Sequence, residues 1–395
     1  MTQQTCPYLI DRSGSDVHHE AGALSAIGPA VQVELPGGVI GWSITTRDLA
    51  MKLMRDPRIS KDPRKHWPPY INGELDENWP MIGWAAMNNM TTSYGTDHTR
   101  LRRLIAQAFT PRRVEEMRPR VERITGELLD ALAKRSETEV VDLKREYAYQ
   151  VPAQVICELF GIPIEDRAEV LRGGEVNIDT RISAQEAQEN VERWHSAMTR
   201  LVSEKRKQPG DDLTTDLIAV RDDEGSQLTD DELVGTLHLM LGAASETVMN
   251  LLSHAVLALL SHSAQRELVR SGERSWSDVI EEALRVESPV AQLPFRYPIE
   301  EIKLGDVTIR PVSRSSSPTA PSAAIRPCTA MTHRRSTSPA RTRTTCPSAT
   351  ASTSVSVRRW HALRPTLRCP RCSIGSRNSN SHRRWPTWSR RERSS

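Results

Sequence analysis

The sequence predicts a mainly α-helical protein with a small β-rich region. Three patterns carry that reading. Apolar residues recur at spacings of three and four through most of the chain after residue 98. One helical stretch runs unbroken from about Thr229 to Ser261; at 1.5 Å per residue it is on the order of 50 Å long, enough to cross a whole domain. Near the start, the short β-branched segments Val31–Leu35 and Val39–Ile44 flank Pro36-Gly37-Gly38, the pattern of a hairpin.

Taken in order, the helical segments are Arg120–Arg135, Asp142–Phe160 and Ala184–Lys207. Gly161 followed by Pro163 marks a helix stop and restart. At the head of the long helix, Thr229 and Glu232 form a capping box, and Asp230 and Asp231 lie on the favourable side of the helix dipole. Its middle, Leu237–Leu260, is apolar on most sides, so most of it is expected to be buried. His238 and His254 in that stretch read as bonded core or edge histidines rather than ligands. Ser245-Glu246-Thr247 interrupts the same stretch, and a carboxylate there is unfavourable unless it has a partner or a use. A further helix, Ser277–Val286, carries Glu282 and Arg285 three apart on one face. After Ser288-Pro289 come an extended segment, with Arg296 between apolar and aromatic neighbours, and a strand at Val307-Thr308-Ile309.

At 395 residues the chain has room for one large domain or two modest ones. Its composition breaks at Pro311. Residues 1–311 carry 36 basic and 49 acidic side chains. Residues 312–395 contain 17 Arg, no Lys, no Asp and a single acid, Glu392. The net charge of +3 therefore averages two unlike parts and is no argument for nucleic-acid binding. Met1–Gly22 lacks a basic start followed by an apolar run, and no uninterrupted apolar run reaches the roughly 18–20 residues of a bilayer span. Residues 1–311 hold only Cys6 and Cys157, so no disulfide framework is implied. A cytoplasmic protein without membrane or nucleic-acid partners is expected.

Several segments converge on one family. The run His98-Thr-Arg-Leu-Arg-Arg103, followed by Ala108–Val114, places His98 and Arg102 four apart on one helix face. Alone, such a pair is usually a solvated helix edge. Gly242-Ala-Ala-Ser-Glu-Thr-Val248 lies mid-helix; alone, its glutamate would be a buried acid bonded to a neighbouring helix. Glu282 and Arg285 follow, 36 residues after Glu246 in the case of Glu282, with Arg296 eleven residues beyond Arg285. Together with Ile156–Pro163, these segments resemble the cytochrome P-450 monooxygenases, over essentially Gly14 to Pro311 and in the manner of actinomycete hydroxylases of macrolides and steroids.

The resemblance implies the cytochrome P-450 fold, with haem b as cofactor and O2 as oxidant. Electrons would come from NAD(P)H through ferredoxin reductase and a small acidic ferredoxin. His98, Arg102 and Arg296 would hold the haem propionates, since bidentate cationic donors suit carboxylates. Glu246 and Thr247 would be the acid–alcohol pair of oxygen activation. Glu282 and Arg285 would hold the core on the proximal side. Ala244 and Val248 depart from the family pattern, where Gly and a second Thr are common, and Ala244 is expected to crowd the groove for dioxygen. The pocket would draw on Trp79–Tyr94, Ala243, Ala244, Val290 and Leu293, mostly small and apolar, which favours a bulky apolar substrate. Arg102, Arg103, Arg112 and Arg113 are candidates for the ferredoxin-docking surface.

The family's haem loop, Phe-Gly-x-Gly-x-His-x-Cys-x-Gly, is not spelled anywhere in the chain, so no metal ligand of that kind is present as written. A Lys-free, Arg-, Ser- and Pro-rich tail is what a GC-rich gene yields out of frame. If one base is lost near codon 311, each true codon joins the last base of one written codon to the first two of the next. Pro347/Ser348 then allows Phe, Ser348/Ala349 and Thr350/Ala351 allow Gly, Ser352/Thr353 allows His, Ser354/Val355 allows Cys and Ser356/Val357 allows Gly. All six fall at the family's spacing. Trp360/His361 must give Ala, which the family continuation also accommodates. The haem-ligand cysteine is thus expected at the Ser354/Val355 overlap, residues 1–311 forming the P-450 domain with its haem loop disrupted and 312–395 an out-of-frame, solvated tail. The other reading is a haem-free pseudoenzyme. Cys369 and Cys372 form half of a zinc pattern without a second half.

Overall fold

The computed structural model describes residues 6–311 apart from 12, 76–78, 80, 83, 84, 86, 137, 180, 181, 293, 294, 305 and 306, together with 324–327. The N-terminal part runs β1 (Tyr8–Leu9), α1 (Val17–Ile27), β2 (Ala30–Leu35), β3 (Val39–Ile44), α2 (Arg47–Arg55), β4 (Ile59–Ser60), α3 (Pro63–His66) and α4 (Pro68–Ile71). The helical part continues with α5 (Gly95–Ala108), α6 (Pro111–Ala133), α7 (Gln150–Leu159), α8 (Arg167–Ile178), α9 (Ala184–Lys207), α10 (Leu213–Ala219), α11 (Asp230–Ser261), α12 (Ser263–Arg270) and α13 (Trp276–Val286). It closes with β5 (Tyr297–Pro298), β6 (Ile302–Leu304), β7 (Val307–Ile309) and β8 (Ala324–Pro327).

Two compact units can be described. The first contains the chain up to Thr110, Cys157–Ala244 and the described residues from Val290 onward; the second contains Pro111–Ile156 and Ser245–Pro289. In the first, β2 and β3 pair antiparallel from Ala30↔Ile44 to Leu35↔Val39 as the expected hairpin. Gly37 and Gly38 turn it with φ of 83° and 78°, a region that residues with a Cβ rarely occupy. β1 adds parallel to β2 and β8 parallel to β3. An aromatic core lies beside this sheet. Trp67 stacks on Tyr297 and Phe295 at 5.2 and 6.0 Å and meets Trp79 edge-on at 5.5 Å. Trp79 donates its indole N–H to the Pro36 carbonyl at 2.7 Å. A residue expected in the pocket segment is thus a core anchor: a large ring with one polar edge is most stable where the ring is dry and the edge is bonded.

In the second unit, Leu129, Tyr147, Val151, Met249 and Leu252 form one apolar cluster, and Leu251, Ala255, Val279, Ile280 and Ala283 another. α6 begins nine residues earlier than its apolar pattern suggests, at Pro111, because proline is favourable in a first helical turn. Pro119 removes one backbone donor inside α6 without ending it. The segment Asp142–Phe160 divides into a π-helical turn, Lys144–Ala148, and α7. Gly161, at φ 61°, ends that helix as expected.

Candidate functional site

The first unit gathers four nitrogen-bearing side chains from three places in the chain. β4 and β5 pair antiparallel, Ile59 with Pro298 and Ser60 with Tyr297. Lys61 follows β4 directly and Arg296 precedes β5 directly, at the same end of this pairing. Successive strand residues face opposite ways. Phe295 and Tyr297 are buried in the aromatic core, and half-buried Arg296 stands between them. α5 supplies the other two groups, His98 and Arg102, one turn apart. Lys61 donates to the Met90 carbonyl at 3.3 Å.

Their electrostatics show that they share a region. Lys61 is pushed down to about 8, first by burial and then by the charges of Arg296 and Arg102. The His98 imidazole lies below its ordinary value, again by burial first and then by Lys61 and Arg102. Burial thus disfavours the charged form of His98, which the sequence suggested as one half of a basic pair. Burial also lowers Arg296, which remains a cation. The nearby acids are already committed. Asp62 receives Arg64 at 2.9 Å and caps α3, and Asp97 receives Lys65 at 2.6 Å. Among the described residues no carboxylate pairs with Lys61 or Arg102. Lysine 61 was not singled out from the sequence; only strand register brings it here.

This donor set fits a dianionic ligand such as the two carboxylates of haem. A haem-thiolate site would also need a cysteine, and the Ser354/Val355 overlap lies outside the described residues. Cys157 is buried and its thiol is pushed up to about 11 by burial, so it is a protonated packing group, and Cys6 is exposed. No cluster of three His, Cys, Asp or Glu side chains forms a metal site among the described residues.

α11 carries the remaining candidate residues. Its capping box is present: the Glu232 N–H donates to Thr229 Oγ1 at 3.2 Å, and the Thr229 N–H to the Glu232 carboxylate at 2.9 Å. The middle of the helix departs from expectation. Leu241 and Met249 are buried, but Gly242 and Ala244–Val248 are only half-buried and Ala243 is exposed. Gly, Ala and Ser bring too little apolar area to drive their own burial. Glu246 and Thr247 are half-buried and both engage other groups, so the carboxylate escapes the full cost of desolvation. Ala243 and Ala244 belong to the first unit and Glu246 and Thr247 to the second, all on α11; half-buried Val290 belongs to the first unit and lies outside that helix. Leu293 lies outside the described residues.

In the second unit the Arg285 guanidinium donates to both oxygens of Glu282, at 2.7 and 2.9 Å, which raises the arginine further. His254 Nδ1 lies 3.2 Å from the Glu287 carbonyl, and Asn250 Nδ2 donates to the Pro289 carbonyl at 3.4 Å. These bonds tie the second half of α11 to the segment after α13. His238 is a core histidine, as expected. One docking candidate is reassigned: Arg103 donates to Asp222 at 2.6 Å, and that carboxylate has no exposed surface. Its charge anchors the loop before α11.

No family model matches the chain. The 2-hydroxy-5-methyl-1-naphthoate 7-hydroxylase of Streptomyces carzinostaticus is 52% identical over 304 residues, 77% of this chain and 74% of that protein. Cytochrome P450 monooxygenase PikC of Streptomyces venezuelae is 37% identical over 298 residues, 75% of this chain and 68% of that one. The structure of CYP154A1 from Streptomyces coelicolor A3(2) superposes with a TM-score of 0.78 at 36% identity, covering 89% of this chain and 90% of that chain. With the fold and the cation cluster described, these similarities establish that the chain belongs to the cytochrome P450 monooxygenases.

Proposed function

We propose that the intact gene product is a haem-thiolate monooxygenase that hydroxylates a bulky apolar small molecule, a macrolide or other polyketide or a steroid-like ring system. The carrying observation is the cluster of Lys61, Arg102 and Arg296 beside His98, in which no carboxylate among the described residues pairs with Lys61 or Arg102. His98, Arg102 and Arg296 would hold the haem carboxylates. When bound, haem supplies oxygen activation for insertion into a C–H bond, and thiolate ligation favours O–O cleavage. The Glu246 carboxyl would relay protons from solvent, and the Thr247 hydroxyl would hold dioxygen and its water by hydrogen bonds. Ala243, Ala244 and Val290 would offer small apolar side chains to the substrate. The name of the naphthoate hydroxylase adds a fused aromatic ring to that substrate class.

Electrons reach the site from NAD(P)H through ferredoxin reductase and ferredoxin in the cytoplasm. Arg112, 87% exposed and only loosely held by Glu116 at 2.9 Å, is available for an acidic partner. Charge reversal at Arg112 and Arg113 weakens reduction and flattens its salt dependence; unchanged kinetics remove these residues from the docking surface.

Residues 1–311 form the P-450 domain, and 312–395 are read out of frame. The nucleotide sequence across codons 305–360 tests this directly: a restored frame spells a cysteine at the Ser354/Val355 overlap, and a gene in which no frame restores the haem loop overturns it. A second reading rests on the missing loop itself, in which the chain as written is a haem-free pseudoenzyme. The reduced carbon-monoxide spectrum separates the two. The frame-restored protein gives the red-shifted Soret band of a haem thiolate, and the chain as written does not.

A further inference from the structure

We propose that Lys61 is an additional clamp on the haem carboxylates and that it takes up a proton when they bind. This rests on the haem reading above and deepens it. Three observations support it. Lys61 follows directly on the β4–β5 pairs and Arg296 directly precedes them, and the charges of Arg296 and Arg102 act on Lys61; like charges so placed repel unless an anion lies between or beside them. The Lys61 ammonium makes one hydrogen bond, to the Met90 carbonyl, and two of its three protons are left for other acceptors. Among the described residues no carboxylate pairs with Lys61: Asp62 is held by Arg64 and Asp97 by Lys65, while His98 and Arg102 bring no negative charge.

The consequence is a linkage. Without an anion, Lys61 sits at about 8, so it is largely charged at pH 7 and largely neutral at pH 9. Two carboxylates beside it restore the charged form, so binding at pH 9 draws a proton from solvent. Affinity for the dianion therefore falls as pH rises from 7 to 9, by roughly tenfold if the bound lysine returns to its ordinary range. Other groups of the cluster do not titrate in that window. His98 lies below its ordinary value, Tyr297 is pushed far above its own by burial, and the arginines stay charged.

The test uses metal-free protoporphyrin IX, which carries both carboxylates and needs no thiolate, so the full chain can be studied as it is. Binding of the diacid and of its dimethyl ester is followed by quenching of tryptophan fluorescence at pH 7, 8 and 9. The wild type is expected to prefer the diacid at least tenfold at pH 7 and to lose most of that preference by pH 9. Lys61→Met should have a weak preference with no pH slope. Lys61→Arg should keep a strong preference, also without a slope, because its charge does not titrate; this variant guards against a mere folding defect. A Lys61→Met protein with the wild-type preference and slope overturns the clamp while leaving the haem site intact. A wild type that binds no porphyrin, or does not distinguish diacid from diester, overturns the haem reading itself and the clamp with it.

Discussion

His238 shows what burial does to one titratable side chain. It is 6% exposed on α11, its ring lies 4.4 Å from that of Trp194, and its Nε2 has no protein partner. Burial pushes it down to about 4, against the Trp194 carbonyl it donates to and with a further push from His195. The unfolded chain binds that proton near pH 6.5, the folded chain only near 4, so stability falls as the pH drops through this interval, by about 3 kcal/mol in all. His238→Gln retains a donor without the titration. Urea midpoints measured from pH 7 to 4 should show a shallower decline in the variant, and parallel curves would exclude His238 as the source. The acid of the oxygen segment is tested at the same scale. In the frame-restored protein, Glu246→Gln is expected to slow turnover by on the order of a hundredfold with little change in substrate affinity, because it removes a proton carrier and leaves the pocket unchanged. A rate within a factor of two of wild type would assign the relay elsewhere.

At the scale of elements, glycines decide how closely helices approach. A Cβ built on Gly173 of α8 would lie 2.3 Å from Trp194 Cδ1 of α9, and Asn190, one turn before Trp194, donates to the Gly173 carbonyl at 2.9 Å. The same indole reaches Gly174 and Gly242 at ordinary contact distance, 3.7 and 3.9 Å from the Cβ positions. Alanine is favoured over glycine in a helix interior by about 1 kcal/mol, yet a rigid ring cannot retreat, and overpacking costs about 1–3 kcal/mol. Gly173→Ala should therefore destabilise the protein, and adding Trp194→Leu should recover part of the loss in a denaturation cycle. Gly235→Ala should be the more damaging change, since its Cβ would meet the backbone oxygen of Asn88 at 2.1 Å and no side chain can swing away. Equal stability of the wild type and both single variants would show that these helices slide freely.

For the whole molecule, α11 is one unbroken helix whose first half belongs to one unit and whose second half belongs to the other. It is long and apolar enough to cross a membrane by length and composition, but its buried residues Leu251, Leu252 and Ala255 pack on α13 and the π-turn region within the second unit. Charge is distributed on the same scale. Residues 328–395 contain 15 of the 17 arginines that follow Pro311, against a strongly acidic remainder. The chain as written should be retained on heparin in a salt-sensitive way, and deletion of 328–395 should abolish that retention. Retention that survives the deletion would place the polyanion-binding surface among residues 1–327.

The amino-acid order alone determined the features set by neighbours within a few residues. The hairpin at Pro36–Gly38, the capping box at Thr229, the span of α9 and the Glu282–Arg285 pair all follow from local bonds and periodicity. The P-450 motifs were legible for the same reason, being short runs of adjacent residues. Tertiary structure decided what depends on register and burial between distant segments. Lys61 comes within reach of the Arg296 charge beside the β4–β5 pairing, burial disfavours the charged form of His98, and Arg103 bonds a buried Asp222. The half-exposure of Gly242–Val248 belongs with these: hydropathy counts the apolar residues of a segment, whereas burial depends on whether side chains that small can fill the space around them.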